Sequence, residues 1–178
     1  MTAIKREGNS LSPDTYLELF TFDTTAIGGA GPLYYTNSSI GGATSNNIFW
    51  QGNNYNFLPL DLTGLDNKAD GTALSRPTLS VSNVHKTLMA GILALGDLVG
   101  TKVTRCRTFY KFTDNGTDSN VLAHYPLEVY YMTRKIVQNK HALQYELSNA
   151  LDRQGLKLPK RQVLRDRGFP GVSRIRVR

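Results

Sequence analysis

The sequence has almost no cysteine, and this absence limits the chemistry that the chain can perform. Cys106 is the only cysteine in 178 residues, so neither a disulfide nor a cysteine-rich metal cluster can form within one copy. We therefore expect Cys106 to be a small buried thiol. We also expect the chain to fold on a hydrophobic core, because a chain of this length buries about two thirds of its unfolded surface.

Long apolar runs are also absent. The charged residues among the first seven are not followed by an apolar run, as they would be in a secretory signal. No stretch approaches the roughly 18 uncharged apolar residues that cross a membrane as a helix. The sequence therefore predicts a protein that is made in a cytosol and has no membrane segment of its own.

Motifs for catalysis or ligand binding are missing as well. The three histidines have no metal-ligand spacing, there is no Gly-x-Ser-x-Gly elbow, and Gly28–Gly31 lacks the Gly-Lys-Ser/Thr of a phosphate loop. Residues 66–71 begin like a calcium loop, but Lys68 and Pro77 stand where oxygen ligands belong. We expect no enzymatic activity, no bound metal and no cofactor.

Acidic charge is scarce at the C-terminus, and the net charge of +7 is concentrated there. Residues 153–178 hold nine basic residues against one acidic residue, whereas residues 1–152 hold 12 basic and 13 acidic residues. The sequence thus divides into a nearly neutral domain, 1–152, and a basic C-terminal arm, 153–178. The basic residues of the arm are Arg153, Lys157, Lys160, Arg161, Arg165, Arg167, Arg174, Arg176 and Arg178.

Three interpretations of the arm remain open: docking into an acidic groove of a partner protein, binding of RNA or DNA, and a solvated tail. Phe169 is the only aromatic residue of the arm, which gives little support for stacking on bases. Docking on a protein is the favoured interpretation. Nucleic-acid binding is the alternative function.

Strand-like segments are far more numerous than helical ones. Turn residues join most neighbouring segments, which predicts three hairpins, two further strands and a polar connection over 60–73. The hairpins combine 16–22 with 33–36, 48–50 with 55–58, and 126–138 with 142–147; the further strands are 78–83 and 102–112.

One helix is predicted in the middle of the chain, over about residues 84–98. Val84, Leu88, Ile92 and Leu95 recur at helical spacing behind a capping Asn83. The predicted fold is therefore β-rich, in the α+β class, with an antiparallel barrel or sandwich and one central helix.

Two side chains are candidate interface residues in the domain. Arg76 is the charged residue beside the alternating strand 78–83, and it is either solvated or locally paired, or it faces a partner. Trp50, with Tyr55 and Phe57, forms either a core or interface anchor or, in a third interpretation, a platform that stacks on a sugar or a base.

The stretches Trp50–Gly52, Arg76–Asn83 and Leu98–Val103, in this order, resemble the minor tail protein L family of lambda-like siphophages. The resemblance covers about residues 14 to 160, including Leu158–Arg161. Trp-Gln-Gly followed by Arg-Pro-Thr-Leu-x-Val-Ser-Asn is its most specific part.

The resemblance implies a structural protein without an enzymatic step, located in the virion at the phage tail tip. It implies a ring, as a homotrimer about the tail axis, with a fold like the tube and hub modules of phage tails. The implied partners are the distal tail protein, the central hub or host-specificity protein, and the tape measure protein. Nucleic acid is not an expected partner.

The chain also departs from this family. Longer members carry a cysteine-rich domain that holds an iron–sulfur cluster, at the place where this sequence has Gln162–Val172 without any cysteine. We expect a short form in which the basic arm stands in place of the cluster domain.

Overall fold

The computed structural model describes residues 2–38, 47–65, 76–82, 95–139 and 141–152. These residues are dominated by strands, which confirms the β-rich fold class. The elements, in chain order, are helix α1 (Thr2–Gly8) and strands β1 (Tyr16–Asp23), β2 (Pro32–Thr36), β3 (Ile48–Trp50), β4 (Asn53–Phe57), β5 (Leu60–Thr63), β6 (Thr78–Ser82), β7 (Lys102–Phe109), β8 (Glu128–Gln138) and β9 (Ala142–Asn149).

The nine strands form one sheet in the order β3-β4-β2-β1-β7-β8-β9-β6-β5. Neighbouring strands are antiparallel, except that β2 and β4 pair in parallel. The parallel pair arises because β3 turns back into β4, and β4 rather than β3 lies beside β2. The three predicted hairpins are therefore present, and the β3–β4 hairpin is attached to the rest of the sheet through β4.

Alternation of polar and apolar side chains sets the register of β6. Leu79 and Val81 are buried, whereas Thr78, Ser80 and Ser82 are partly exposed, as the sequence predicted. A shift of one residue would turn both apolar side chains toward solvent, so burial fixes this register.

The main hydrophobic core lies inside the curved sheet. Buried side chains from β1, β2 and β5 through β9 pack in one cluster, which joins strands from distant places in the strand order. The chain makes this possible at Leu58–Pro59, between β4 and β5. The Leu58 N–H donates to the Thr36 carbonyl of β2 at 2.9 Å, and the Ser82 N–H of β6 donates to the Pro59 carbonyl at 2.8 Å. The sheet thus closes into a barrel-like enclosure, with β3 and β4 outside it.

A second core lies between the outer face of the sheet, the β3–β4 hairpin and α1. It contains Leu17 and Leu19 of β1, Trp50 of β3 and Ile4 of α1. Helix α1 has seven residues, fewer than the roughly 12 that an isolated helix needs. Burial of Ile4 and an ion pair between Glu7 and Lys111 at 3.1 Å hold it in place. This helix was not predicted from the sequence.

The β3–β4 turn is formed by Gln51 and Gly52, which both have positive φ, 53° and 72°. Two such residues are what a two-residue turn between right-handed twisted strands requires. A β-branched residue at position 51 would be strained in this conformation.

Three predicted segments need correction, and two of them concern strands. Residues 60–63 form strand β5 instead of a polar connection, because Leu60 and Leu62 alternate with exposed neighbours and bury against β6. The strand predicted over 102–112 ends at Phe109 and is followed by a 3₁₀ turn.

The helix predicted over 84–98 lies outside the described residues, apart from residues 95–98. These residues form a turn and a 3₁₀ segment over Gly96–Leu98, in which Asp97 and Leu98 have φ of 63° and 59°. Positive φ is incompatible with a right-handed helix at these two residues. The prediction that the helix extends to residue 98 is therefore wrong.

Substitutions in β6 test its register. Leu79→Ala should lower the free energy of unfolding by about 3 kcal/mol, because it removes a fully buried side chain and leaves a cavity. Ser80→Ala, on the opposite face of the same strand, should change it by less than about 0.5 kcal/mol. Urea denaturation of both variants measures the difference, and equal effects would contradict the register.

Candidate assembly surface

Arg76 lies at the edge of the barrel, just before β6, and it is paired within the chain. Its Nε donates to Asp152 Oδ2 at 2.8 Å, and its Nη1 donates to Glu146 Oε1 at 3.0 Å. Arg134 Nε donates to the other oxygen of Glu146 at 2.6 Å. The local pairing that the sequence left open as an interpretation is therefore present.

The carboxylate at the centre of this group is well shielded. Glu146 is 7% exposed, whereas the side chain of Arg76 is 53% exposed. The hydrogen bond from Arg134, and next that from Arg76, holds the pKa of Glu146 below its ordinary value despite the opposing effect of burial. Asp152 and then Glu146 raise the pKa of Arg76. The Arg76 side chain is thus about half exposed, and its contact with a partner stays a prediction.

Trp50 is buried, which corrects its assignment to a partner surface. Its side chain is 2% exposed and packs in the second core with Ile48 and Tyr55. A tryptophan in this position can neither stack on a sugar nor contact another subunit in this conformation. The interpretation of Trp50 as a core anchor is the one that the structure supports.

The remaining predicted interface residues all belong to the basic arm. Residues 153–178 lie outside the described residues, so the role of the arm stays a prediction. These residues are Arg153, Lys157, Lys160, Arg161, Arg165, Arg167, Phe169, Arg174, Arg176 and Arg178.

A partly buried cluster of charges on β1, β7 and β8 was not predicted from the sequence. Arg105 is 8% exposed and donates through Nη2 to Glu18 Oε1, and through Nη1 to Glu128 Oε2 at 2.9 Å. Arg107 Nη2 lies 2.7 Å from Glu128 Oε1, and Asn37 Nδ2 donates to Glu18 Oε2 at 3.3 Å. Two positive and two negative charges meet here, so the cluster is neutral as a whole.

Strand register brings these charges together. In the antiparallel pairs, Glu18 of β1 lies opposite Arg107, and Glu128 of β8 lies opposite Arg105. Burial lowers the pKa of Arg105, but hydrogen bonds to Glu18 and Glu128 outweigh it and raise the pKa overall. The residues come from positions 18, 105, 107 and 128, so no local sequence pattern could have joined them.

Cys106 is a buried thiol, as predicted. It is 7% exposed in the second core, and burial raises its pKa to about 11, so it is neutral at physiological pH. A neutral, shielded thiol is neither a ready nucleophile nor a ready metal ligand. Within the described ranges, no three His, Cys, Asp or Glu side chains converge on a metal position. These residues therefore do not fit an iron–sulfur cluster.

An apolar groove of about 480 Å³ lies where β4 passes into β5. Phe57, Pro59, Leu60 and Val81 supply its apolar surface, with Asp61 and His141 among the polar residues around it. Phe57 is 39% exposed, and the large apolar side chains of Leu122 and Leu127 are 75% and 54% exposed elsewhere. The arrangement can bury apolar surface against another protein. For the part of the chain that is described, no helix is both long and apolar enough to cross a membrane.

Comparisons with known proteins agree on one family. A family model described as phage minor tail protein L matches residues 25–169. The tail tip protein L of Escherichia phage lambda is 29% identical over 96 residues, which is 54% of this chain. The matched part spans 40% of the length of the lambda protein.

Removal of Arg105 from the charge cluster should destabilise the fold. Arg105→Met should lower the free energy of unfolding by about 3 kcal/mol, because Glu18 and Glu128 lose their shared partner inside the sheet. Arg134→Met is the matched control, since the Arg134 side chain is 71% exposed, and it should cost less than about 1 kcal/mol.

A compensating variant separates charge from packing. Adding Glu18→Gln to Arg105→Met should restore part of the lost stability, because it removes the carboxylate that loses its ion pair, whereas Glu128 keeps its ion pair with Arg107. Chemical denaturation of the four proteins measures this. Arg105→Met as stable as the wild type would rule out a structural role for the cluster.

Proposed function

The chain belongs to the phage minor tail protein L family, and from this membership we propose that it forms an adaptor or hub ring at the tail tip. It is a structural protein of the phage tail. In the proposed role it is a homotrimer in a siphophage tail that joins the distal tail ring to the central hub or host-specificity protein. The tape measure protein is a further proposed neighbour, and the chain is made in the host cytoplasm before it enters the virion.

Family membership is the observation that carries this proposal. A tail protein acts by binding its neighbours, and the barrel supplies a rigid body with exposed apolar side chains for such contacts. The proposed mechanism is assembly: strand faces and loops bury against adjacent subunits, with no bond made or broken. We propose that this function needs no cofactor.

We further propose that the basic arm docks on acidic surface of a neighbouring tail protein. The charge distribution supports this, because the arm holds nine basic residues against one acidic residue. Six of the eleven acidic residues in the described part of the chain already form ion pairs with its own Lys and Arg side chains. We therefore propose that the acidic surface to which the arm binds belongs to a partner protein.

Removal of the arm tests this role. A chain that lacks residues 153–178 should remain folded but should fail to complement tail assembly, because its docking segment is gone. Circular dichroism and thermal melting report the fold, and electron microscopy of lysates counts complete tails. A full-length chain with the nine basic residues of the arm replaced by Gln is the matched control for length and should fail in the same way. Normal tails from either variant would refute docking through charge.

Nucleic-acid binding is the second candidate, and the charge of the arm is the observation that favours it. If the arm bound phosphates, log K would fall linearly with log salt, with a slope of about −0.9 for each contact to duplex DNA. Fluorescence anisotropy with duplex and single-stranded DNA, over a series of salt concentrations, measures this slope. Our proposal predicts no arm-dependent binding at physiological salt. Tight, steeply salt-dependent binding that vanishes with the arm would favour the alternative.

A further inference from the structure

We propose that Arg76 is a positioning residue for the basic arm: by holding Asp152, it fixes the place where residues 153–178 leave the barrel. This inference rests on the proposed docking function of the arm. Arg76 belongs to the barrel and is far from the arm in the sequence, but in this proposal it contributes to docking of the arm.

Arg76 contacts Asp152, the residue that directly precedes the arm. Asp152 ends the 3₁₀ turn Ala150–Asp152, which directly follows β9, and the next residue is the first of the arm. Arg76 holds this turn through Asp152 at 2.8 Å and holds β9 through Glu146 at 3.0 Å. One guanidinium group therefore joins the last turn of the domain to the strand that precedes it.

The backbone around Arg76 is itself fixed. Pro77 restricts the residue before it to extended conformations, and the Pro77 carbonyl accepts the Leu147 N–H of β9 at 2.8 Å. Thr78, the next residue, lies opposite Glu146 in the β6–β9 pair. The Arg76 side chain therefore extends from a rigid strand end, and its reach toward Asp152 is set by that strand.

Glu146 serves as the fixed anchor of the group. Glu146 is buried and also accepts a hydrogen bond from Arg134, so its carboxylate stays in place when the Arg76 side chain moves. The guanidinium donates from two different nitrogens to two separate carboxylates, which the single ammonium of a lysine does with poorer geometry. Because the Arg76 side chain is 53% exposed, its pairs add little to global stability. Their effect falls on the last turn, because local opening of this turn breaks the Asp152 contact.

Limited proteolysis of the full-length chain tests this inference. Trypsin cleaves after Arg153, whereas Arg76 is followed by proline and is not a cleavage site, so Arg76→Gln changes no cleaved sequence. We expect Arg76→Gln to raise the rate of cleavage after Arg153 roughly fivefold relative to cleavage after Arg174, because the turn opens more often. Arg76→Lys should give a smaller increase.

Arg134→Gln is the matched control, since it removes one positive charge and one Glu146 contact but leaves Asp152 bound. It should leave the ratio of cleavage at Arg153 to cleavage at Arg174 unchanged. Arg76→Gln should have no further effect in an Asp152→Asn background, a comparison in which any preference of the protease for the altered site cancels. An unchanged ratio in Arg76→Gln, or an equal increase in Arg134→Gln, would overturn the inference.

Complementation of tail assembly separates this inference from the function on which it rests. With the arm present, Arg76→Gln should assemble severalfold fewer tails than Arg134→Gln at equal melting temperature. Normal assembly without residues 153–178 would overturn arm docking and the positioning role together. Failure of the truncated chain, combined with normal assembly by Arg76→Gln, would leave docking intact and overturn the role of Arg76 alone.

Discussion

The nine-stranded sheet has to enclose the main hydrophobic core, and the short connection at Leu58–Pro59 makes this possible. Leu58 bonds to β2 near one end of the strand order, and Pro59 bonds to β6 near the other end. Proline suits this place because it has no N–H to satisfy and because it stiffens the bend. Seven strands thereby contribute side chains to one core, and the β3–β4 hairpin is left outside to cover the second core.

Closure of the sheet also determines where charges lie. Arg105 and Glu18 meet inside the sheet because β1, β7 and β8 are neighbours, and Arg76 meets Asp152 because β6 lies beside β9. Within the described residues, six of the eleven acidic side chains thus form ion pairs with Lys or Arg of the same chain. The excess positive charge of the chain is confined to the arm, which follows directly after Asp152. This division separates the stability of the fold from the proposed means of attachment.

Much of the fold could be predicted because its signals are local. Alternation in Thr78–Ser82 and the turn residues between hairpin strands depend on neighbours in sequence, and both predictions are confirmed. The β5 strand shows the same alternation, but its four residues are too few to stand out. Helix α1 is stabilised by tertiary contacts such as that of Ile4, which no local pattern reports.

The candidate site was harder to predict because its contacts join residues that are far apart in the sequence. An exposed anchor and a core anchor look alike in sequence, so Trp50 could not be placed before its neighbours were known. The pairing of Arg76 with Asp152 depends on strand order across 76 residues. The resemblance to a family identified the class of protein correctly, since the model of that family matches residues 25–169.

The position of this chain in an intact phage particle tests the account most directly. Electron cryomicroscopy of complete tails should show the barrel as a ring at the tail tip, with residues 153–178 of each copy against an acidic surface of a neighbouring protein. The symmetry of the ring should match that of the rings on either side of it. A barrel located along the tail tube, or arms that contact only nucleic acid, would contradict the account.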